Sequence, residues 1–257
     1  MTPKRDLAPE RIEKIAQLLR ERHVVRVQEL CQNMGVSPAT ARRDLTEMEE
    51  RGLIRKVHGG AVSANPRMTE PLFDDKTAVR TEEKQRIART ALKLIGSNDT
   101  VFLDGGSTIL ALATQLASMN RLTVVTNSLR VASALSASGP RVIVIGGELR
   151  ALSQTFVGPL TGLLIEKLHV DTAFVGTIGL DIEKGLTTTD PREAYTKQQV
   201  IQSAQRVVLL ADSSKIGAVS FVGFGAVADV GTLITDSDAA KRDIQTIRKE
   251  DVAVITA

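Results

Sequence analysis

Apolar residues recur at the helical period through the opening quarter of the chain, and afterwards in short runs separated by helical stretches. Ile12, Ile15, Ala16 and Leu19 fall on one face of a helix that accepts Pro9 in its first turn. Leu30, Cys31 and Met34 form a second, shorter stripe, which Gly35 ends. Ser37 followed by Pro38 is the next start signal, because the hydroxyl caps free N–H groups and the proline sits where no N–H is needed. From there Ala41, Leu45 and Met48 share one face; Ala39, Thr40, Arg43 and Thr46 share the opposite one, with Arg42 on the flank. Gly52 stops this helix, and Leu53–Val62, with Gly59 and Gly60 inside it, is short enough for a β-hairpin wing.

Ser63–Thr81 holds two prolines and no sustained period, which predicts a linker and a domain boundary. Beyond it a helix over Glu82–Ile95 leads into strand Thr100–Leu103, a helix from Ile109, strand Leu122–Thr126, a helix from Leu129 and strand Arg141–Ile145. Further strands are expected at Thr172–Val175, Val207–Ala211, Thr232–Thr235 and Val252–Ile255, with helices at Glu193–Ser203 and Ala239–Lys249. Strands alternating with helices predict an α/β domain around a largely parallel sheet. The expected division is therefore a helix-turn-helix domain over 1–62, a linker over 63–80, and an α/β domain over 81–257 that senses an effector and oligomerises.

Composition narrows the chemistry. Cys31 is the one cysteine and there are three scattered histidines, so no disulfide, metal site or cofactor is expected. Cys31 itself is taken as a small buried hydrophobe. With no tryptophan and one tyrosine, stacking platforms for single-stranded nucleic acid are scarce. No window approaches the roughly 18 apolar residues of a membrane span, and the opening MTPKRDLAPE lacks an apolar core, so a cytoplasmic location is expected. Residues 1–62 carry 12 basic and 9 acidic side chains while the remainder carries 21 of each, which places the whole net charge of +3 in the first quarter. That placement suits a polyanionic partner.

Two short helices joined through a glycine turn, the second capped by Ser37 and presenting Thr40, Arg42 and Arg43, are sized for the major groove of double-stranded DNA. Arg55, Lys56 and His58 on the wing are placed to meet the adjacent backbone. Asp44, near the apolar face, is assigned to structure. In the second domain, strand 101–103 ends in Asp104, Gly105, Gly106, Ser107 and Thr108 and opens a helix, which offers close backbone approach and free N–H groups to an anion such as phosphate. No Walker lysine and no complete dinucleotide fingerprint follow the glycines. Thr126, Asn127 and Ser128, then Gly146 and Gly147, then Asp212 and Lys215 also follow apolar strands, and ligands of open α/β sheets bind beyond the carboxyl ends of strands. Lys215 is expected to be held by Asp212 as an anion partner.

Arg11, Ile15 and Leu19, followed by the Ser37–Leu45 string SPATARRDL and the Gly52–Ala61 string GLIRKVHGGA, resemble the helix-turn-helix and wing of the DeoR family of bacterial transcriptional regulators. The strand-end motifs, in their order, extend that resemblance over residues 6–250. It implies a repressor of a carbohydrate-utilisation operon, released from operator DNA by a phosphorylated sugar, and a main domain with a ribose-5-phosphate isomerase-like fold. On the same resemblance Asp104–Thr108 hold the phosphate or sugar end, while Thr126–Ser128, Gly146, Gly147, Gly176, Glu193, Asp212 and Lys215 line the rest. Two other readings stand beside it. Glu193 sits where the similar isomerases carry their base, but Thr177 and Ile178 replace an acidic pair there, so an isomerase constellation is incomplete and no enzyme is expected. A DNA-binding protein whose second domain only oligomerises is the other. One recognition helix reads few base pairs, so a homodimer or homotetramer is expected.

Overall fold

A computed structural model of the chain describes residues 8–22, 24–51, 53–63, 70 and 73–257. It divides into two compact units, 1–72 and 73–257. Gly52 and most of the expected linker, residues 64–69 and 71–72, lie outside the described residues.

The first unit holds helices α1 (Ala8–Arg22), α2 (Val27–Met34) and α3 (Pro38–Glu50), and strands β1 (Val24–Arg26), β2 (Ile54–Val57) and β3 (Gly60–Ser63). The three strands pair antiparallel in the order β1-β3-β2, so the expected hairpin gains a third strand from the residues just before α2. Gly60 permits this third pairing, since a Cβ there would lie 2.0 Å from the Val25 carbonyl oxygen. Ile15, Leu19, Leu30, Leu45 and Met48 bury together with Ile54 and Ala61 in one apolar core. Gly35, with φ +63°, supplies the left-handed turn that ends α2. Arg11 clamps the same core from its rim, donating through Nε and Nη2 to the two carboxylate oxygens of Asp44 at 2.8 and 2.9 Å.

The second unit opens with α4 (Phe73–Ala78) and α5 (Thr81–Leu92). It continues through β4 (Thr100–Leu103), α6 (Ser107–Gln115), β5 (Thr123–Thr126), α7 (Leu129–Leu135), β6 (Arg141–Val144), β7 (Glu148–Arg150), β8 (Thr155–Val157) and α8 (Pro159–Ile165). The remainder is β9 (Val170–Val175), β10 (Gly179–Asp181), β11 (Gly185–Thr188), α9 (Pro191–Ser203), β12 (Ala204–Leu210), β13 (Val222–Gly225), β14 (Thr232–Thr235), α10 (Lys241–Arg248) and β15 (Ala253–Thr256). Seven strands form a wholly parallel sheet in the order β15-β14-β12-β9-β4-β5-β6. Their side chains alternate between two cores. Val101 and Leu103 pack under α5, α6 and α7, whereas Phe102 faces the opposite side, where α8, α9 and α10 lie. Burial on both faces is why these strands read as near-continuous apolar runs. The expected α/β class with a winged helix-turn-helix before it is the architecture found.

The pattern left three parts unassigned: the β7–β8 hairpin, helix α8, and a small antiparallel sheet in the order β10-β11-β13. It also placed α4 inside the linker. Phe73 anchors that short helix, being 3% exposed with the Arg130 guanidinium 5.4 Å over its ring, and one aromatic residue makes no periodicity for a sequence to show. Phe73→Ala is expected to destabilise the second unit by about 3 kcal/mol, read as a lower urea midpoint; an unchanged midpoint would mean that α4 contributes no packing.

Candidate functional site

In the first unit the groove-sized helix is α3. Ser37 Oγ accepts from Thr40 N at 3.2 Å and meets Thr40 Oγ1 at 3.0 Å, so two of the expected contact residues organise the first turn. Arg42, Arg43, Arg55 and His58 are exposed, and no described residue forms an ion pair with any of them. Lys56 differs: its ammonium pairs with Glu49 at 3.1 Å and donates to Thr46, which ties the wing to α3. Hydrogen bonds from the Lys56 backbone and side chain hold the Glu49 carboxyl below the usual carboxylate range.

In the second unit β4, β5 and β6 succeed one another in one direction across the sheet, and β9, β12, β14 and β15 in the other. The direction reverses between β4 and β9, the place where an open α/β sheet leaves a crevice beyond its strand ends. Asp104 and Gly176 occupy those two ends. Asp104, 2% exposed, accepts from Gly176 N at 3.0 Å and from the Lys197 ammonium, which also donates to Gly176 O at 3.0 Å. One turn earlier on α9 is Glu193, 3.8 Å from Lys197 and hydrogen-bonded by Arg150 at 3.1 Å. Arg150 further donates to Thr189 Oγ1 at 3.2 Å and pairs with Asp190 at 3.3 Å. The structure thus gathers Asp104, Gly176 and Glu193 around two cations, Lys197 and Arg150.

Asp190 caps α9, taking the Arg192 and Glu193 N–H groups at 2.8 and 3.2 Å. Burial pushes its carboxyl up, but hydrogen bonding from Arg192, the Arg150 charge and the two backbone donors outweigh that and bring the pKa down to about 2.

Gly105 and Gly106 follow Asp104 into α6. No side chain caps this helix, whose first turn holds the buried Ser107 and Thr108. Gly105 runs beside Thr155 on β8, where a Cβ would lie 2.2 Å from the threonine methyl, and Gly106 has φ +125°.

Thr126 and Ser128 are committed to the scaffold. Thr126 Oγ1 donates to Leu103 O at 2.6 Å and accepts from Ser128 N at 3.0 Å, while Ser128 Oγ caps α7 on Val131 N. Between them, Asn127 donates to Phe156 O at 2.9 Å, and its buried Oδ1 has no partner. Thr161 Oγ1 donates to Gly146 O at 3.1 Å and lies against Gly147.

The last pair departs from expectation. Asp212 does not hold Lys215; it caps Ser214 at 3.1 Å, takes the Ser214 hydroxyl and faces Arg80 Nε at 3.9 Å. The Asp212 carboxylate is taken up by Ser214 and Arg80, while Lys215 meets Asp212 only through the backbone, Lys215 N donating to Asp212 O at 2.9 Å. Arg80 also donates to Ser213 Oγ at 3.0 Å. Lys84, buried beneath, donates to Val79 O at 2.6 Å; burial pulls its ammonium below the usual lysine value, with Asp212 opposing. An open cavity of about 550 Å3 lies at the opposite, amino-terminal ends of β9, β12 and β14, lined by Thr172, Ile201, Arg206 and Asp229, and none of the expected site residues lines it.

Sequence reasoning missed Lys197, Arg150, Asp190 and Arg80. The Glu193–Lys197 spacing of four and the Asp190-Pro191 cap were there to be read as one charged helix face. Nothing along the chain marks Arg150, which reaches α9 only because the β7–β8 hairpin folds over it.

Residues 11–67 match the DeoR-like helix-turn-helix domain, and residues 79–237 match the DeoR C terminal sensor domain. The chain belongs to the DeoR family. Among its relatives, the HTH-type transcriptional regulator GlpR of Haloferax volcanii is 35% identical over 97% of this chain and 98% of its own. The lactose phosphotransferase system repressor of Streptococcus mutans is 37% identical over 88% and 91%, and the glycerol-3-phosphate regulon repressor of Escherichia coli 36% over 87% and 88%. Among solved structures, ribose 5-phosphate isomerase A of Methanocaldococcus jannaschii aligns at a TM-score of 0.40, with 18% identity over 53% of this chain and 54% of its own. The eIF2B beta structure from Chaetomium thermophilum aligns at 0.40, with 16% identity over 84% and 79%.

Two outcomes test the charge cluster of this DeoR-family sensor unit. Lys197→Met strands the buried Asp104 carboxylate and is expected to destabilise the unit by about 3 kcal/mol, measured by urea unfolding. Asp190 titrates near 3.8 when unfolded and near 2 when folded, so its contribution is complete above about pH 4 and disappears as the pH falls towards 2. Asp190→Asn is therefore expected to flatten the fall of melting temperature between pH 4 and 2; an identical slope in both proteins refutes the assignment.

Proposed function

We propose that this chain is a repressor that binds double-stranded operator DNA through α3 and the wing, and is released by a phosphorylated sugar held at the strand ends of the second unit. The regulated genes are those of a carbohydrate-utilisation operon. The observation that carries the effector half is the convergence, at the sheet's reversal point, of an uncapped helix start behind two glycines with the buried cations Lys197 and Arg150. An uncapped first turn presents N–H groups and the positive end of the helix dipole to an anion. The carboxylates Asp104 and Glu193, orienting those cations, are the kind of acceptors that sugar hydroxyls use. The phosphate is assigned to Gly105–Thr108, with Asn127, Gly146, Gly147 and Gly176 lining the sugar end. Lys215 joins them as a half-exposed cation without the support of Asp212, and Thr126 and Ser128 support the site from behind.

Relatives named for a lactose phosphotransferase system and a glycerol-3-phosphate regulon support a phosphorylated carbohydrate effector. The regulatory rather than catalytic reading is supported by the state of Glu193, which Arg150 and Lys197 engage, and of Thr177, whose hydroxyl is spent on the Gly179 and Thr187 carbonyls. Neither offers a free group for moving a proton. DNA affinity belongs to Ser37, Thr40, Arg42, Arg43, Arg55 and His58, with Lys56 acting through Glu49 to set the wing. A dimer or tetramer pairs the recognition helices on two half-sites, and the effector favours an arrangement that misplaces them. Operator and effector then weaken each other's binding by the same factor.

Fluorescence anisotropy on the duplex upstream of the chain's own gene, at fixed salt, tests both halves. One phosphorylated sugar of a panel is expected to release the protein while its unphosphorylated form is inert; tight binding that no compound alters removes the effector half. Arg43→Ala is expected to weaken the duplex about tenfold and to lower the salt slope by about 1. Thr108→Val with Lys215→Met is expected to abolish release with DNA affinity unchanged.

A further inference from the structure

Helix α8 is buried on one side through Thr161, Gly162 and Ile165. On its other side Leu160, Leu163 and Leu164 are 68, 54 and 51% exposed. Their spacing of three and four puts them in one stripe. The stripe opens roughly 300 Å2 of apolar surface in one place, at the lower end of the about 300–600 Å2 of the largest, often functional, patch on a monomer. The whole stretch from Ala151 to Ile165 contains no charged residue.

We infer that this leucine face is where two copies of the chain associate about a two-fold axis. A two-fold contact sets each residue near the axis against its own copy, so any charge there meets its like. A charge-free stripe satisfies that condition, and it lacks the charges that steer and register a different protein partner. The area agrees. A stable interface covers about 800 Å2 on each side, with an apolar centre inside a polar rim. The three leucines make such a centre, and the exposed Glu166 and Lys167 at the end of α8 begin the rim.

The buried side of α8 links this face to the strand ends. Thr161 holds the Gly146 carbonyl at 3.1 Å, and Gly162 lies flat against Tyr195, where a Cβ would come within 2.5 Å of the ring. Tyr195 stands on α9 between Glu193 and Lys197. A shift of α9 or of the β6 end therefore reaches the leucine face through one helix. The inference rests on the regulator reading above and supplies it with the surface through which recognition helices are paired.

Sedimentation velocity of the full-length chain tests it, with Leu163→Glu and, because it is the most exposed of the three, Leu160→Glu as a second variant. The wild type is expected to sediment as a dimer or larger. Each variant is expected to raise the dimer dissociation constant about thirtyfold or more, with its circular dichroism and melting temperature unchanged. Leu163→Met is expected to restore association. Two folded variants with wild-type mass overturn the assignment and leave the face to another macromolecule, and a wild type that is monomeric at operator-binding concentration overturns it as well. Failure of the wild type to retard any promoter duplex sinks the regulator reading instead, without altering the masses.

Discussion

The ammonium of Lys197 holds the sensor unit at its centre. It enters from α9, ion-pairs with Asp104 at the end of β4 and hydrogen-bonds the Gly176 carbonyl at the end of β9, so that one side chain binds both strands flanking the sheet's reversal point to the helix above them. Two side chains buried to 3 and 2% exposure offset each other's desolvation, which either would bear in full without its partner. The rest of the cluster follows from this fixed point. Four residues back on α9, Glu193 falls within reach of Arg150, and Arg150 in turn draws in Thr189 and the capping Asp190. On the function proposed above, an effector at this cluster would meet acceptors and donors that are already oriented.

The first unit solves a smaller problem with the same device. Beside its apolar core, the Arg11–Asp44 clamp ties α1 to α3 through two parallel hydrogen bonds. With Asp44 consumed inward, the opposite side of α3 is left to Thr40, Arg42 and Arg43. Basic side chains without carboxylate partners are available to phosphates. Lys56 shows the contrast, since its pairing with Glu49 makes it a strut between helix and wing.

Much of this was legible in the chain. Ser37-Pro38 as a cap, the Ala41–Leu45–Met48 face, and each apolar run of the parallel sheet depend on neighbours three or four residues apart, or on alternation, and so leave a local trace. The site was legible only in part. Asp104, Gly176 and Glu193 were singled out, and they do converge, but the lysine that joins them is 93 residues from Asp104 and has no local mark beyond its spacing from Glu193. Thr126 and Ser128 resemble ligand contacts in sequence, because a hydroxyl that caps a helix and one that binds a sugar look alike until its acceptor is known. Asp212 and Lys215 are close in sequence and still unpaired, because the carboxylate is taken by Ser214 and by Arg80, more than 130 residues away along the chain.

The strand order has a consequence for how the chain emerges from the ribosome. The first unit is complete within 72 residues and can fold while the remainder is still being made. The sheet cannot follow at once. β4 is its first strand, yet the neighbour on one side, β9, is synthesised only at Val170–Val175, after the β5 and β6 segments and the whole excursion that carries Arg150 and α8. Until then β4 presents one unpaired apolar edge, a template for another chain. A nascent polypeptide therefore has its DNA-facing helix in place before its sensor can close, and the interval between the two is when this protein is most exposed to aggregation.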